Sequence, residues 1–212
     1  MANGLLMFRL IQNSLRILFI VGALTLSVQC SEQCATTPPE IPYCKIQEAD
    51  IVFRLGRTLQ SDAIASHGQG GYSHIGIIIR TDSTLKAVHI EPHRHQSERI
   101  KAQSLEEFFH PDNALAGCVM RHNAINDSIR LVISAYAKEL HASPITFDHD
   151  YRLSDSSQMY CTELVEKIFQ QAGISLAQDK KIRLPLAKEP VIMPSAIYEN
   201  DSLSMIWSYR LE

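Results

Sequence analysis

Residues 74–91 read HIGIIIRTDSTLKAVHIE, and no other stretch restricts the fold as much. Two β-rich runs, SHIGIIIR and LKAVHIE, flank the turn-like TDST, which is a hairpin pattern. His74 opens the first strand and Glu91 closes the second, so pairing them as a hairpin puts both side chains at one end of a sheet. The loop before His74 carries Gly68, Gly70 and Gly71 beside Tyr72 and Ser73.

The remaining elements follow from period and punctuation. ADIVFRLG is an apolar run closed by Gly56 and predicts a strand; LQSDAIASHG predicts a short helix after it. Ser104 and Glu107 stand at capping-box spacing ahead of SLEEFF, and GCVMR is strand-like. From Asn126, a residue suited to an N-cap, Ile129, Val132, Ile133, Tyr136 and Leu140 recur at helical steps and predict an amphipathic helix. In MYCTELVEKIFQQAG the apolar stripe is Cys161, Leu164, Val165, Ile168 and Phe169, with Gly173 as a C-terminal stop. A short helix at Pro194–Tyr198 and a closing strand at Met205–Arg210 complete the pattern. Few strands and few helices, mixed, give an α+β domain, with no internal repeat.

The first thirty residues place Arg9 and Arg16 ahead of the apolar stretch Ile17–Val28. About twelve apolar residues suit an export signal better than a bilayer span, which needs about twenty. Expected boundaries are a signal peptide at 1–30, a Pro-rich linker at 31–45 and one domain at 46–212. Such a chain is exported to a periplasm or cell envelope. Cys30 is a candidate lipid acceptor, which leaves membrane attachment through this segment open, although Ser27, Val28 and Gln29 depart from the usual pattern before a lipidated cysteine. The five cysteines, at 30, 34, 44, 118 and 161, contain no zinc-knuckle spacing. Cys34 with Cys44 is a candidate disulfide, and Cys161 a candidate free thiol. The 45% apolar content suffices for a buried core, while a formal charge of −3 without any Lys/Arg run excludes a nucleic-acid surface.

Cys161 lies at the start of its helix, where unpaired N–H groups and the macrodipole favour a thiolate. Paired with an imidazole it can attack a carbonyl, pass through a thioester and protonate the leaving group, with a third polar group holding the ring. His74 fits the base and Glu91 the orienting group; the Cys161 N–H with Tyr160 or Tyr72 fits the oxyanion donors. By pattern alone the blander readings are favoured, because free cysteine is among the most buried residue types and single histidines and strand-end carboxylates are ordinary. HIEPHRH, with His89, His93 and His95, offers ligands to a metal such as zinc, but Pro92 breaks any helical His spacing. A solvated loop is the expectation there, with no metal and no cofactor.

Taken in order, ADIVFRLG, GYSHIGIIIR, AVHIEP and MYCTELVEKIF resemble the permuted NlpC/P60 papain-like cysteine hydrolases of the YiiX/YebB type, over roughly residues 46–175. In that family an S-H-x-G strand supplies the histidine, the next strand a glutamate, and a Y-C-[ST]-E-[LV]-V helix the nucleophile. The matching residues here are Ser73, His74 and Gly76, then Glu91, then Tyr160, Cys161, Thr162, Glu163, Leu164 and Val165. The resemblance implies a circularly permuted papain-like fold, a small antiparallel sheet or barrel packed against helices, and a Cys161–His74–Glu91 triad. Ala49 stands where relatives usually carry glycine, and Pro92 with HRH follows Glu91 where a small residue is usual, which makes His89 the substitute for the third position. The implied activity is hydrolysis of an amide in a cell-wall peptide or an N-acyl amino acid, so the partner is a small peptide or acyl-amide substrate. The alternatives are a thiol acyltransferase acting on lipid or amide, and an envelope module that binds peptide or lipid without reaction.

Overall fold

The hairpin forms the middle of a sheet. β2 (His74–Thr81) and β3 (Thr84–His89) pair antiparallel from Thr81↔Thr84 to Ile77↔Val88. Their two-residue turn, Asp82 and Ser83, has φ of 49° and 65°, the mirror-image turn whose twist matches the strands it joins. β1 (Ile51–Leu55) pairs on the other side of β2, with Arg54 opposite His74. β4 (Lys101–Ser104), β5 (Ala116–His122) and β8 (Leu203–Arg210) extend this to six antiparallel strands in the order β4–β3–β2–β1–β5–β8. The sheet is open, with β4 and β8 at its edges. The short β6 (Thr146–Phe147) and β7 (Gln158–Met159) form a separate parallel pair.

This computed structural model describes residues 38–93, 97–185 and 187–211, all within one compact unit, Thr36–Glu212. The expected signal segment, Cys30, Cys34 and His95 lie outside the described residues; Cys44 is a free, exposed thiol. No helix among the described residues is long and apolar enough to cross a membrane.

Period-two alternation sorts the strand side chains onto two faces. Ile51, Phe53, Ile75, Ile77 and Ile79 face one way, against the long helices. Val52, Ile78, Ala87 and Val119 face the other, against Phe108 and Phe109. Each fully buried Ile or Phe contributes roughly 1.5–3 kcal/mol by leaving water, so covering both faces is what fixes the register.

Five helices accompany the sheet among the described residues: α1 (Leu59–Ala65), α2 (Leu105–Phe108), α3 (Asp127–Ala142), α4 (Cys161–Gln170) and α5 (Pro194–Tyr198). Asn126 caps α3, its side chain accepting from the Ile129 N–H. The buried stripe of α3 is Ile133, Ser134, Ala137 and Leu140, and Val132, expected inside, is exposed because the helix is rotated toward Ala137. Ser104 caps α2 as its spacing predicts, but the other half of the capping box is not made; Glu107 accepts from Gln103 instead. α4 is buried well beyond its apolar stripe, since Thr162, Glu163 and Glu166 are also inside. Glu166 accepts from the N–H groups of Leu176 and Ala177, which ties the chain after α4 back onto it.

Candidate active site

Cys161 is the first residue of α4 and His74 the first residue of β2. The imidazole lies on the sheet face that carries Phe108, whereas α4 packs on the opposite face, through Leu164 and Val165. Each stands at the very end of its element, His74 opening β2 and Cys161 opening α4, which brings both to one cavity. Backbone N–H groups of Ile75, Thr162 and Cys161 itself lie near enough to the Cys161 sulfur to favour its thiolate, which puts Sγ beside the start of β2. Both side chains open on one cavity of about 380 Å³.

The sequence motif has a mechanical reading. Ser73 Oγ accepts from the Gly56 N–H at 2.9 Å, which pins the end of β1 beside the start of β2. Gly76 lies against the neighbouring strand: a Cβ there would sit 2.9 Å from the Val88 carbonyl oxygen and 3.1 Å from the His89 Cβ. Its missing side chain is what lets His89 close up on His74. Ala49, in the position where glycine was expected, does hold a left-handed φ of 68°.

His74 Nε2 and His89 Nδ1 are 2.8 Å apart, and His89 Nε2 lies 2.7 Å from Gln103 Oε1. Glu91, expected to orient His74, sits just past the end of β3 with Oε2 3.8 Å from His74 Nε2, beyond hydrogen-bond reach. Its carboxylate is held instead by Arg54 and, at 2.5 Å, by Lys101. Arg54 donates a further bond to the Phe108 carbonyl and lies over the Phe108 ring, its guanidinium carbon 4.6 Å from the centroid. Phe108 thus supports His74, His89 and Arg54 together.

The electrostatics give a neutral resting pair. Burial pushes the Cys161 thiol up to about 11, outweighing the three N–H groups that favour its thiolate. Burial, with repulsion from Arg54 and Lys101, lowers His74 to about 3 against the pull of Glu91. Both shifts favour thiol and imidazole over the thiolate–imidazolium pair expected from the helix terminus, because burial disfavours either charged form. His89 is likewise kept neutral, by burial first and by the Arg54 charge. Burial works against the Glu91 carboxylate, but the Arg54 guanidinium and the Lys101 ammonium hold it well below the usual carboxylate range.

Of the two tyrosines expected at the site, Tyr160 lines the cavity and its hydroxyl accepts from the Ile192 N–H at 3.0 Å. Tyr72 does not: it is packed in the core against Phe53 and Tyr198, because Gly70 and Gly71, both at positive φ, turn the chain between the loop and β2. Tyr151, which no pattern marked, does line the cavity. Arg54 was legible as a charge inside the apolar run IVFRL, and a charge in such a strand signals a buried partner. Gln103 gave no signal, since β4 has no apolar alternation.

The match to a family model covers residues 45–206 and is described as permuted papain-like amidase enzyme, YaeF/YiiX, C92 family. The chain belongs to this family. Its members are papain-like cysteine amidases and peptidases, so the protein is an enzyme of that class with the permuted fold. A solved structure described as metalloprotein yiiX from Escherichia coli O157:H7 is similar, with a TM-score of 0.64 at 20% identity over 78% of this chain and 99% of that one. The comparison with curated proteins gives no match.

The yiiX description raises the question of a metal. Among the described residues, His74, His89 and Glu91 offer donor atoms within 4.8 Å of one another. They do not suit a divalent cation. Both Glu91 oxygens are already committed to Arg54 and Lys101, whose positive charges would oppose a dication placed between these donors.

Proposed function

We propose that this chain hydrolyses an amide whose acyl part is apolar and whose amine part is polar, with Cys161 as nucleophile and His74 as base. The observation that carries the reading is the placement of the Cys161 sulfur at the N-terminus of α4, against the Ile75 N–H and on the same cavity as His74. Because the resting pair is neutral, deprotonation accompanies attack. The Sγ–H proton passes to His74 while sulfur bonds the carbonyl carbon, and the oxyanion is met by backbone N–H groups at the start of α4. Collapse breaks the C–N bond, the imidazolium proton leaves with the amine, and water then hydrolyses the thioester by the same base.

The two walls of the cavity support the substrate class. Ile192 and Met193 are fixed on the cysteine side, where the Thr162 hydroxyl donates to the Ile192 carbonyl at 2.6 Å, and with Leu184 they form an apolar wall for the acyl group. Arg57, Thr58 and Asn113 line the same cavity and offer polar partners to the amine part. N-acyl amino acids and acylated cell-wall peptides both meet that description. The Arg-flanked apolar segment at the N-terminus supports action outside the cytoplasm.

Intact-mass spectrometry of the protein quenched during exposure to a panel of N-acyl amino acids and peptide fragments tests the reading. An acyl increment on Cys161, absent in Cys161→Ala together with turnover, is expected. Turnover retained by Cys161→Ala overturns it.

A further inference from the structure

The hydrogen bonds behind His74 continue past His89 to the surface, and they have a direction. The Glu107 carboxylate is an acceptor only, so the Gln103 amide must turn its Nε2–H₂ toward it, at 2.9 Å, and its carbonyl oxygen toward His89. An acceptor at 2.7 Å from His89 Nε2 requires the proton on that nitrogen, and a neutral His89 then presents a bare Nδ1. A bare Nδ1 at 2.8 Å from His74 Nε2 requires an Nε2–H on His74. The nitrogen left without a proton is His74 Nδ1, which is the tautomer a base needs when its Nε2 is turned away from the reacting thiol. Glu91 cannot impose this, being 3.8 Å away and engaged by two cations.

We propose that Gln103, oriented by Glu107, is a positioning residue that sets the tautomer of the catalytic His74 through His89. The inference rests on the reading of His74 as the base for Cys161, and it gives the third role in the triad to His89, with Gln103 and Glu107 behind it. The relay is built into the fold at two points. Gly76 permits the approach of His89, and the register of β3 on β4, with Ala87 opposite Gln103 and His89 opposite Lys101, brings the Gln103 amide to His89. Glu107 reaches Gln103 because Ser104 caps α2 and directs its first turn back over β4.

The decisive measurement needs no substrate. Long-range ¹H–¹⁵N spectra of histidine-labelled wild-type protein at pH 7.5 report which ring nitrogen carries the proton, and Nε2–H is expected for both His74 and His89. Nδ1–H at either ring overturns the proposal while leaving Cys161 chemistry untouched. Gln103→Met, which keeps length and removes the acceptor, should give mixed tautomers at His89 and His74. It should also lower kcat by about 10–100-fold, the range for a lost supporting partner, with KM little changed. The exchanged pair Gln103→Glu with Glu107→Gln again offers His89 an acceptor and should recover most of the loss; equal kcat in Gln103→Met and wild type, or no recovery in the exchanged pair, counts against the relay. Zinc chloride added to the labelled wild type should leave both signals in place. Their joint loss at one equivalent of zinc would assign these donors to a metal and overturn the relay. Turnover retained by Cys161→Ala would overturn the hydrolase reading, whereas Nδ1–H at either ring would overturn the relay, so the two failures are distinguishable.

Discussion

Alkylation of Cys161 as a function of pH tests the neutral resting pair directly. Burial raises the thiol to about 11, against about 8.5 for an ordinary cysteine. At pH 7.5 such a thiol holds roughly one three-hundredth of the thiolate of an ordinary one, and iodoacetamide reacts with the thiolate. Cys44, exposed on the same chain, reports delivery of the reagent. Peptide mass spectrometry from pH 6 to 10.5 should show the Cys161 rate climbing about tenfold per pH unit across the range, without a plateau. His74→Ala should change the rate at pH 7.5 only slightly, because a neutral imidazole provides no charge to hold a thiolate. A plateau between pH 5 and 8 that disappears in His74→Ala is the signature of a thiolate–imidazolium pair, and would refute the argument that desolvation exceeds the pull of the helix terminus and the three N–H groups.

Three further outcomes follow from packing and charge. Gly76→Ala places a methyl group 2.9 Å from the Val88 carbonyl oxygen, and thermal melts should show a loss of about 1–3 kcal/mol, with kcat falling as His89 is pushed from His74. Arg54→Met leaves the Glu91 carboxylate with Lys101 alone; a loss of about 1–3 kcal/mol in urea titrations is expected, and adding Glu91→Gln should recover part of it. Glu163, 1% exposed, is raised to about 7 by burial despite Lys167 at 2.8 Å, so its contribution to stability is full below about 4.5 and lost as pH rises through 7. That makes the wild type about 3 kcal/mol less stable above pH 7 from this group, and Glu163→Gln should flatten urea-derived stability across that window.

The hairpin, the principal strands and helices, the N-caps at Ser104 and Asn126 and the place of Cys161 in the first turns of α4 were readable along the chain, because each depends on side-chain period or on a residue within three positions of another, whereas β4, β6 and β7 carried no such signal. The same local information placed His74 and Cys161 at the ends of their elements, and the motif resemblance paired them. What the chain could not disclose is how burial would act on them. A helix N-terminus suggests a thiolate, but the desolvation that reverses this comes from residues remote in sequence, and so does the inward rotation of α3 that leaves Val132 outside.

The third position shows the division most clearly. From the sequence, Glu91 is the natural partner for His74, being the carboxylate that ends the neighbouring strand. The fold gives the Glu91 carboxylate to Arg54 and Lys101 and puts His89 in hydrogen-bond contact, because Gly76 lets the β2–β3 crossing close and β4 brings Gln103 alongside. Sequence determined which groups could react, since that depends on residue type and local backbone. Only the tertiary structure decided which of them touch, and in what protonation state, since hydrogen bonds and desolvation depend on distances between strands that the chain order does not encode.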